Sequence, residues 1–187
     1  PEWKGKELKQ RIRHLTVALK AMLPADYREA SGVIIEVASL LRERAADVPS
    51  FGYMCLAEYI ELYGLDSFEI SVQAMEAGTK LITCEFAVRP FIVRYEERMM
   101  KQMLRWSKSK DPKVRRLASE GCRPRLPWGM VLKKFKTDPA PVLKVLEVLK
   151  SDDDVWVRKS VANNLNDISK DHPALLISLI RKWKGSH

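Results

Sequence analysis

Val114-Arg115-Arg116-Leu117-Ala118 recurs 43 positions later as Val157-Arg158-Lys159-Ser160-Val161. An acidic turn precedes each copy, with Asp111 before the first and Asp152 to Asp154 before the second. A period of about 40 to 47 residues is typical of HEAT repeats, in which each unit is a pair of helices. Because such units bury their apolar faces against one another, the repeat predicts an all-α, HEAT-like solenoid of stacked antiparallel helix pairs.

Apolar residues recur at helical spacing over most of the chain. One stripe contains Ile12, Leu15, Leu19 and Leu23, and the next, beyond Pro24, contains Val33, Val37, Leu40 and Leu41. Further helices are predicted over about 81–88 and 90–107, and Gly64 is predicted to end a helix at positive φ. No segment has a period of two. The sequence thus predicts roughly nine to eleven helices in a single domain, 1–187, which we expect to be part of a longer chain.

The composition indicates a folded protein in a reducing compartment. Hydrophobic residues make up 46% of the 187 residues, which is too many for a disordered chain. No apolar stretch approaches the roughly 20 residues that a membrane span needs. Cys55, Cys84 and Cys122 are odd in number and lack CxxC spacing, so the sequence indicates neither a disulfide framework nor a zinc site. We therefore expect a cytoplasmic protein.

The net charge of +9 is concentrated in one segment, residues 105–136. That segment contains eleven basic residues against only Asp111 and Glu120, while basic and acidic residues balance in the rest of the chain. Nucleic acid is the natural partner, because each neutralised phosphate releases counterions. A membrane surface is disfavoured, since Pro124 and Pro127 interrupt the long amphipathic helix that an interfacial anchor requires.

Trp128 follows an arginine-rich stretch that contains two prolines. Pro127 suits the first turn of a helix, which predicts that Trp128 lies at the N-terminal end of that helix. Two interpretations stay open. A large aromatic side chain usually belongs to a core, whereas a Trp among guanidinium groups can lie against the sugar and backbone of a nucleic acid.

Asp167 lies near the end of a predicted helix, on a stripe with Trp156, Ser160 and Asn163. At 100° per residue this stripe is about 130° from the apolar stripe that contains Val157, so Asp167 is predicted to face out of the core. A carboxylate near a helix C-terminus is unfavourable with the helix dipole, by about 0.3–1 kcal/mol. Either local turn hydrogen bonding or a functional role would explain such a placement.

Two motifs together resemble a known family. The run from Arg115 to Gly121 and on through Arg123 to Trp128, followed by the run from Val157 to Lys170, resembles the AlkC-type DNA alkylation repair glycosylases. These enzymes are relatives of the AlkD-type glycosylases in the HEAT-like repeat glycosylase superfamily. The sequence departs from the family at Cys122, where members often carry Thr, and members extend beyond both ends of this chain.

The resemblance implies hydrolysis of the N-glycosidic bond of N3-alkylated bases, chiefly 3-methyladenine, with 3-methylcytosine as a second substrate, in alkylated double-stranded DNA. It implies no metal or organic cofactor, and we expect a monomer. Asp167 would stabilise the oxocarbenium-like sugar and assist an attacking water. Trp128 would pack against the deoxyribose or backbone at the lesion and help to hold the duplex open.

Glu85 and Glu120 correspond to further acidic positions that the family brings near the lesion. Each also has a plain explanation as an (i, i+4) surface pair, Glu85 with Arg89 and Glu120 with Arg116. The phosphate contacts that the resemblance implies are Arg115, Arg116, Arg123, Arg125, Arg158 and Lys159.

Two other functions stay open. Most solenoids of this kind are binding scaffolds, so a non-catalytic HEAT-repeat module that binds nucleic acid or protein along its groove is the main alternative. An RNA-binding solenoid would prefer single strands. The DNA-groove hypothesis predicts that Arg115, Arg123, Arg125 and Arg158 are solvent-accessible on one surface, together with Trp128 and Asp167.

Overall fold

The computed structural model describes residues 3–44 and 51–184, and within these ranges every regular element is helical. The α-helices are α1 (Leu8–Met22), α2 (Tyr27–Arg44), α3 (Met54–Tyr63), α4 (Phe68–Gly78), α5 (Val88–Arg94), α6 (Glu96–Trp106), α7 (Pro112–Glu120), α8 (Lys133–Thr137), α9 (Ala140–Leu149), α10 (Val155–Ser169) and α11 (Pro173–Trp183). A single 3-10 turn (Phe51–Tyr53) precedes α3. The all-α prediction is confirmed. No helix in the described part of the chain is long and apolar enough to cross a membrane.

The helices form two compact units, residues 1–91 and 92–187. In the first unit, α1 packs against α3, and α2 packs against α3 and α4. A core cluster there contains Ala30 and Ile34 of α2 with Leu56 and Tyr59 of α3. The hydroxyl of Tyr59 is reached by the ammonium of Lys20 at 3.4 Å, so the polar end of this buried ring has a partner.

The buried face of α2 differs from the predicted stripe. Val33 and Leu40 are 37% and 41% exposed, whereas Ala30, Ile34 and Ala38 are buried. The helix packs against two neighbours, and small side chains such as alanine allow helices to approach closely. Val37 and Leu41 of the predicted stripe do pack against the core cluster, so the prediction is wrong only for Val33 and Leu40.

Gly64 ends α3 as predicted, but its φ is −96°, so the left-handed conformation is not the reason for a glycine. A Cβ atom at this position would collide with the hydroxyls of Tyr27 and Ser71 and with the backbone carbonyl oxygen of Ile60. The Ser71 hydroxyl donates to the Gly64 carbonyl at 2.7 Å and lies 2.7 Å from the Tyr27 hydroxyl. The position requires glycine because these polar groups leave no room for a side chain, and not because the backbone adopts a left-handed conformation.

The predicted helices over 81–88 and 90–107 are wrong in their boundaries. Residues 81–87 form turns, in which the Glu85 N–H donates to the Thr83 hydroxyl at 3.2 Å. Such local side-chain bonds compete with helical hydrogen bonding. The second segment consists of two helices, α5 and α6, separated at Tyr95, whose φ of −126° and ψ of 43° are not helical.

In the second unit, α7 packs against α6, α9 and α10. Its first residue and that of α10 are 43 positions apart, which is the predicted repeat. Asp111 and Asp154 are the two N-caps: Asp111 accepts from the Lys113 N–H at 2.8 Å, and Asp154 accepts from the Trp156 N–H at 2.7 Å. The acidic turns seen in the sequence are therefore helix caps.

Candidate nucleic-acid interface

Three charged side chains form a buried cluster where α7 ends beside α10. Glu120, Arg123 and Asp167 are only 4%, 8% and 2% exposed. The Arg123 guanidinium donates to Asp167 through Nε at 2.9 Å and Nη2 at 3.3 Å, and to Glu120 Oε1 through Nη1 at 2.7 Å. One cation thus holds two carboxylates, and we call this group the acid–arginine cluster.

The acid–arginine cluster has further hydrogen-bond donors around it. The Ser160 hydroxyl donates to Glu120 Oε2 at 2.6 Å, and the Arg125 backbone N–H donates to Asp167 Oδ2 at 3.3 Å. Burial alone would lower the pKa of Arg123, but its hydrogen bonds to Asp167 and Glu120 raise that pKa above its ordinary value. Two further cations lie at the edge of the cluster, with Arg116 Nη2 3.9 Å from Glu120 and Lys170 Nζ 3.8 Å from Asp167.

The structure corrects the predicted exposure of two site residues. Asp167 and Arg123 were both expected on an accessible surface, and both are buried. The stripe on α10 is not uniformly exposed, because the segment after α7 covers part of it through the Arg123 and Arg125 contacts with Asp167. Trp156, at the other end of the same stripe, is 64% exposed.

Trp128 is the most exposed of the large aromatic residues in this unit, at 73%. It does not begin a helix as predicted: residues 127–129 form a turn, and α8 starts only at Lys133. The Gly129 N–H donates to the Leu126 carbonyl at 3.1 Å across this turn. Trp128 has a φ of 60°, a conformation that is strained for a bulky side chain and that is concentrated at functional sites.

The basic residues implied as phosphate contacts differ in their surroundings. Arg115 donates to both carboxylate oxygens of Asp152, at 2.6 and 2.8 Å, and is largely buried. Arg125 pairs with Asp171 at 2.7 Å and is about one-third exposed. A weaker contact of 3.9 Å joins Arg116 Nη2 to Glu120, so the predicted (i, i+4) pair exists but is not the main partner of that carboxylate.

Arg158 and Lys159, the last two implied phosphate contacts, are exposed on α10. Glu85 belongs to the first unit, where its carboxylate accepts a hydrogen bond from the Thr83 hydroxyl at 2.8 Å. Arg89 is fully buried, which does not fit an exposed surface pair with Glu85. Within residues 3–44 and 51–184, no group of three or more His, Cys, Asp or Glu side chains is arranged to hold a metal ion.

Comparison with known sequences identifies the family of this chain. The profile of the DNA alkylation repair enzyme family matches residues 6–186, nearly the whole chain. The chain belongs to the DNA alkylation repair enzyme family. Among its relatives is the uncharacterized protein YhaZ of Bacillus subtilis (strain 168), which is 46% identical over 186 residues, or 100% of this chain and 50% of YhaZ.

A solved structure in the same context is the alkylpurine DNA glycosylase AlkC of Pseudomonas fluorescens, bound to DNA that contains an abasic-site analogue. It matches 94% of this chain with a TM-score of 0.86 and 39% sequence identity, and the match covers 48% of AlkC. The predicted HEAT-like fold and the resemblance to AlkC-type proteins are confirmed. The chain spans about half the length of the relatives that it matches.

Sequence reasoning missed two polar residues that support the site in this family member. Ser160 binds Glu120, as described above, and Asn164 Nδ2 donates to the Ser119 carbonyl at 2.8 Å from a fully buried position. Both residues could have been found in the sequence, because they are small polar residues at (i, i+4) spacing on the inner side of α10. Cys122 donates its thiol to the Ala118 carbonyl at 3.1 Å.

Proposed function

We propose that this chain forms the lesion-binding and catalytic part of a DNA glycosylase that removes 3-methyladenine and 3-methylcytosine from double-stranded DNA. Its membership of the DNA alkylation repair enzyme family and its likeness to AlkC support this proposal. The acid–arginine cluster is the observation that carries it, because groups of buried, closely spaced titratable side chains are concentrated at functional sites. Burying charges is expensive unless they are paired and hydrogen-bonded.

The charge of the cluster suits the chemistry. An N3-alkylated base carries a formal positive charge, which makes it a good leaving group and removes the need for strong acid catalysis. As the N-glycosidic bond breaks, positive charge develops on the sugar. Carboxylates that are already fixed in place, in surroundings of low dielectric constant, stabilise that charge without reorganisation.

Asp167 is the carboxylate that we assign to the transition state. The Arg123 side chain and the Arg125 N–H fix its position, and the carboxylate stabilises the oxocarbenium-like sugar and orients the attacking water. The water oxygen bonds to the sugar carbon, the base departs with the electron pair of the broken bond, and the carboxylate accepts the water proton. Glu120 adds negative charge to the same cluster.

The remaining residues have supporting roles in this proposal. Trp128 packs against the deoxyribose or backbone at the lesion, which its exposure and fixed backbone conformation allow. The resemblance also implies a role for Glu85, an acidic residue of the first unit. The exposed cations Arg158 and Lys159, with the partly exposed Arg116 and Arg125, provide positive charge for the phosphates. Arg123 and Arg115 are instead held by carboxylates and fix the structure of the site.

The proposal is tested by incubating the protein with methylated duplex DNA and identifying the released bases by mass spectrometry. We expect free 3-methyladenine and 3-methylcytosine, with abasic sites in equal number. Unmethylated DNA and a duplex with only 7-methylguanine serve as controls for the lesion class. Tight binding to methylated DNA without base release would contradict the proposal and favour a scaffold.

A further inference from the structure

One face of α10 forms a continuous exposed strip. At 100° per residue, five exposed positions fall within an arc of about 80°. They are Trp156, Lys159, Asn163, Asn166 and the C-cap residue Lys170. We call them the α10 strip, and only Lys159 among them was implied as a DNA contact by the sequence.

The chemistry of the α10 strip fits a polyanion. It combines two cations, two side-chain amides and one indole ring, and the one carboxylate of α10, Asp167, is buried beside it. Lys159 Nζ lies 4.9 Å from the centre of the Trp156 ring. This cation–π contact places the ammonium over one face of the ring of Trp156, a residue that is 64% exposed. A protein partner is less suited, because Trp156 is the strip's only large apolar side chain.

The strip also leads directly to the acid–arginine cluster. Trp156 and Asp167 are eleven residues apart, so they differ by only about 20° around the helix and by roughly 16 Å along it. Lys159 is roughly 12 Å from Asp167 by the same rise. Since one DNA strand rises about 3.4 Å per nucleotide, a strand that follows the strip meets Lys159 within about four nucleotides of the lesion.

We propose that the α10 strip binds the backbone of one DNA strand beside the lesion, with Trp156 against a sugar and Lys159 against a phosphate. Asn163 and Asn166 donate to backbone oxygens between Lys159 and the lesion. Lys170, whose Nζ lies 3.8 Å from Asp167, contacts the strand on the other side of Asp167. This proposal rests on the proposed function for the position of the lesion. It adds an anchoring surface that fixes the register of the strand on α10.

The first test measures affinity for a duplex that contains an abasic-site analogue. Trp156→Ala should weaken binding by about fivefold or more, as expected for loss of an aromatic nucleic-acid contact. Trp183→Ala is the matched control, because Trp183 also lies near a lysine, 5.3 Å from Lys150 Nζ, but donates its Nε1–H to Glu147. It should change affinity less than twofold. Equal losses in the two variants, with both folded by circular dichroism, would overturn the proposal.

The second test locates the contact. Each phosphate within six nucleotides of the abasic site is replaced in turn by a neutral methylphosphonate, and affinity is measured with wild type and Lys159→Ala. We expect one phosphate, within about four nucleotides of the lesion, at which the substitution weakens wild type but not the variant. If the substitution weakens the affinity of wild type and of Lys159→Ala equally at every phosphate, the proposed contact is refuted. If one phosphate shows this dependence on Lys159 but no base is released, the α10 strip is supported and the glycosylase proposal fails. The two failures are therefore distinguishable.

Discussion

Arg115 and Arg158, at equivalent positions of the 43-residue repeat, make the same backbone contacts. Nη1 of Arg115 donates to the carbonyl oxygens of residues 109 and 110, each at 3.0 Å. Nη1 of Arg158 donates to those of residues 152 and 153, which are 43 positions further along the chain. Each arginine therefore closes the loop that precedes its own helix. Arg115 additionally binds the Asp152 carboxylate, which joins the first of these helices to the turn before the second.

The Arg115–Asp152 pair predicts an acid-sensitive contribution to stability. Burial alone would raise the pKa of Asp152, but the hydrogen bonds from Arg115 and from the Asp154 N–H lower it below its ordinary value of 3.8. The folded state therefore binds this proton less tightly than the unfolded state. The contribution is present above about pH 4 and is lost as the pH falls through the lowered pKa.

We accordingly expect Asp152→Asn to reduce the free energy of unfolding at pH 7 by about 1.5–3 kcal/mol, the usual range for hydrogen bonds to charged groups. The difference from wild type should shrink near pH 3. Urea titrations at the two pH values measure it. Glu97→Gln is the control, because Glu97 belongs to an exposed pair with Lys101 and should change little. If Asp152→Asn loses the same free energy of unfolding at both pH values, the charge of the Arg115–Asp152 pair is not the cause of the loss.

Removing the cation of the acid–arginine cluster should be strongly destabilising. Arg123→Met leaves two buried carboxylates without their shared partner, which typically costs about 3–5 kcal/mol. Arg125→Met removes only the partly exposed pair with Asp171 and keeps the backbone contact with Asp167, so its loss should be much smaller. Chemical denaturation compares the two variants. Similar losses would contradict the central position given to Arg123.

The backbone at Trp128 predicts an unusual order of stabilities. A non-glycine residue in the left-handed region costs about 1–2 kcal/mol, whereas the extra chain entropy of glycine costs about 0.5–1 kcal/mol. Trp128→Gly should therefore be more stable than Trp128→Ala by roughly 0.5 kcal/mol or more, although both lose the exposed indole. Melting temperatures test the order. A less stable glycine variant would imply that the turn is not strained.

The sequence contained most of the fold but less of the site. The repeat and the acidic caps could be predicted because each depends on residues close together in the chain, as Asp111 and Asp154 show. The exposure of Asp167 could not be predicted in this way. Helical spacing gives the angle of a side chain relative to its own helix, but not which distant segment covers it, and here the covering residues are 42 and 44 positions away.

Trp128 and Gly64 illustrate the same limit at the level of the backbone. Pro127 fits the first turn of a helix, yet the chain forms a turn whose closing hydrogen bond runs from Gly129 to Leu126. Gly64 was correctly placed at a helix end, but its cause is a tertiary contact with Tyr27. In both cases the residue type was informative, but the reason was a local turn at Trp128 and a tertiary contact at Gly64.

The burial of Asp167 changes what its substitution should do. On an exposed stripe, Asp167→Asn would leave stability unchanged, whereas loss of the Arg123 ion pair should lower the melting temperature measurably. A core truncation in the same helix, Val157→Ala, supplies a control that is destabilised without touching the cluster, since Val157 is fully buried. Both variants are compared with wild type at a temperature at which all three are folded.

Single-turnover release of 3-methyladenine from duplex DNA by wild type, Asp167→Asn and Val157→Ala is the most direct measurement. If the Asp167 carboxylate stabilises the charge that develops on the sugar, Asp167→Asn should slow release by about 10² or more. Its affinity for abasic-analogue DNA should be unchanged or higher, because repulsion of the phosphates decreases. Val157→Ala should retain the wild-type rate. Release by folded Asp167→Asn at the wild-type rate would contradict the assignment of Asp167 to catalysis.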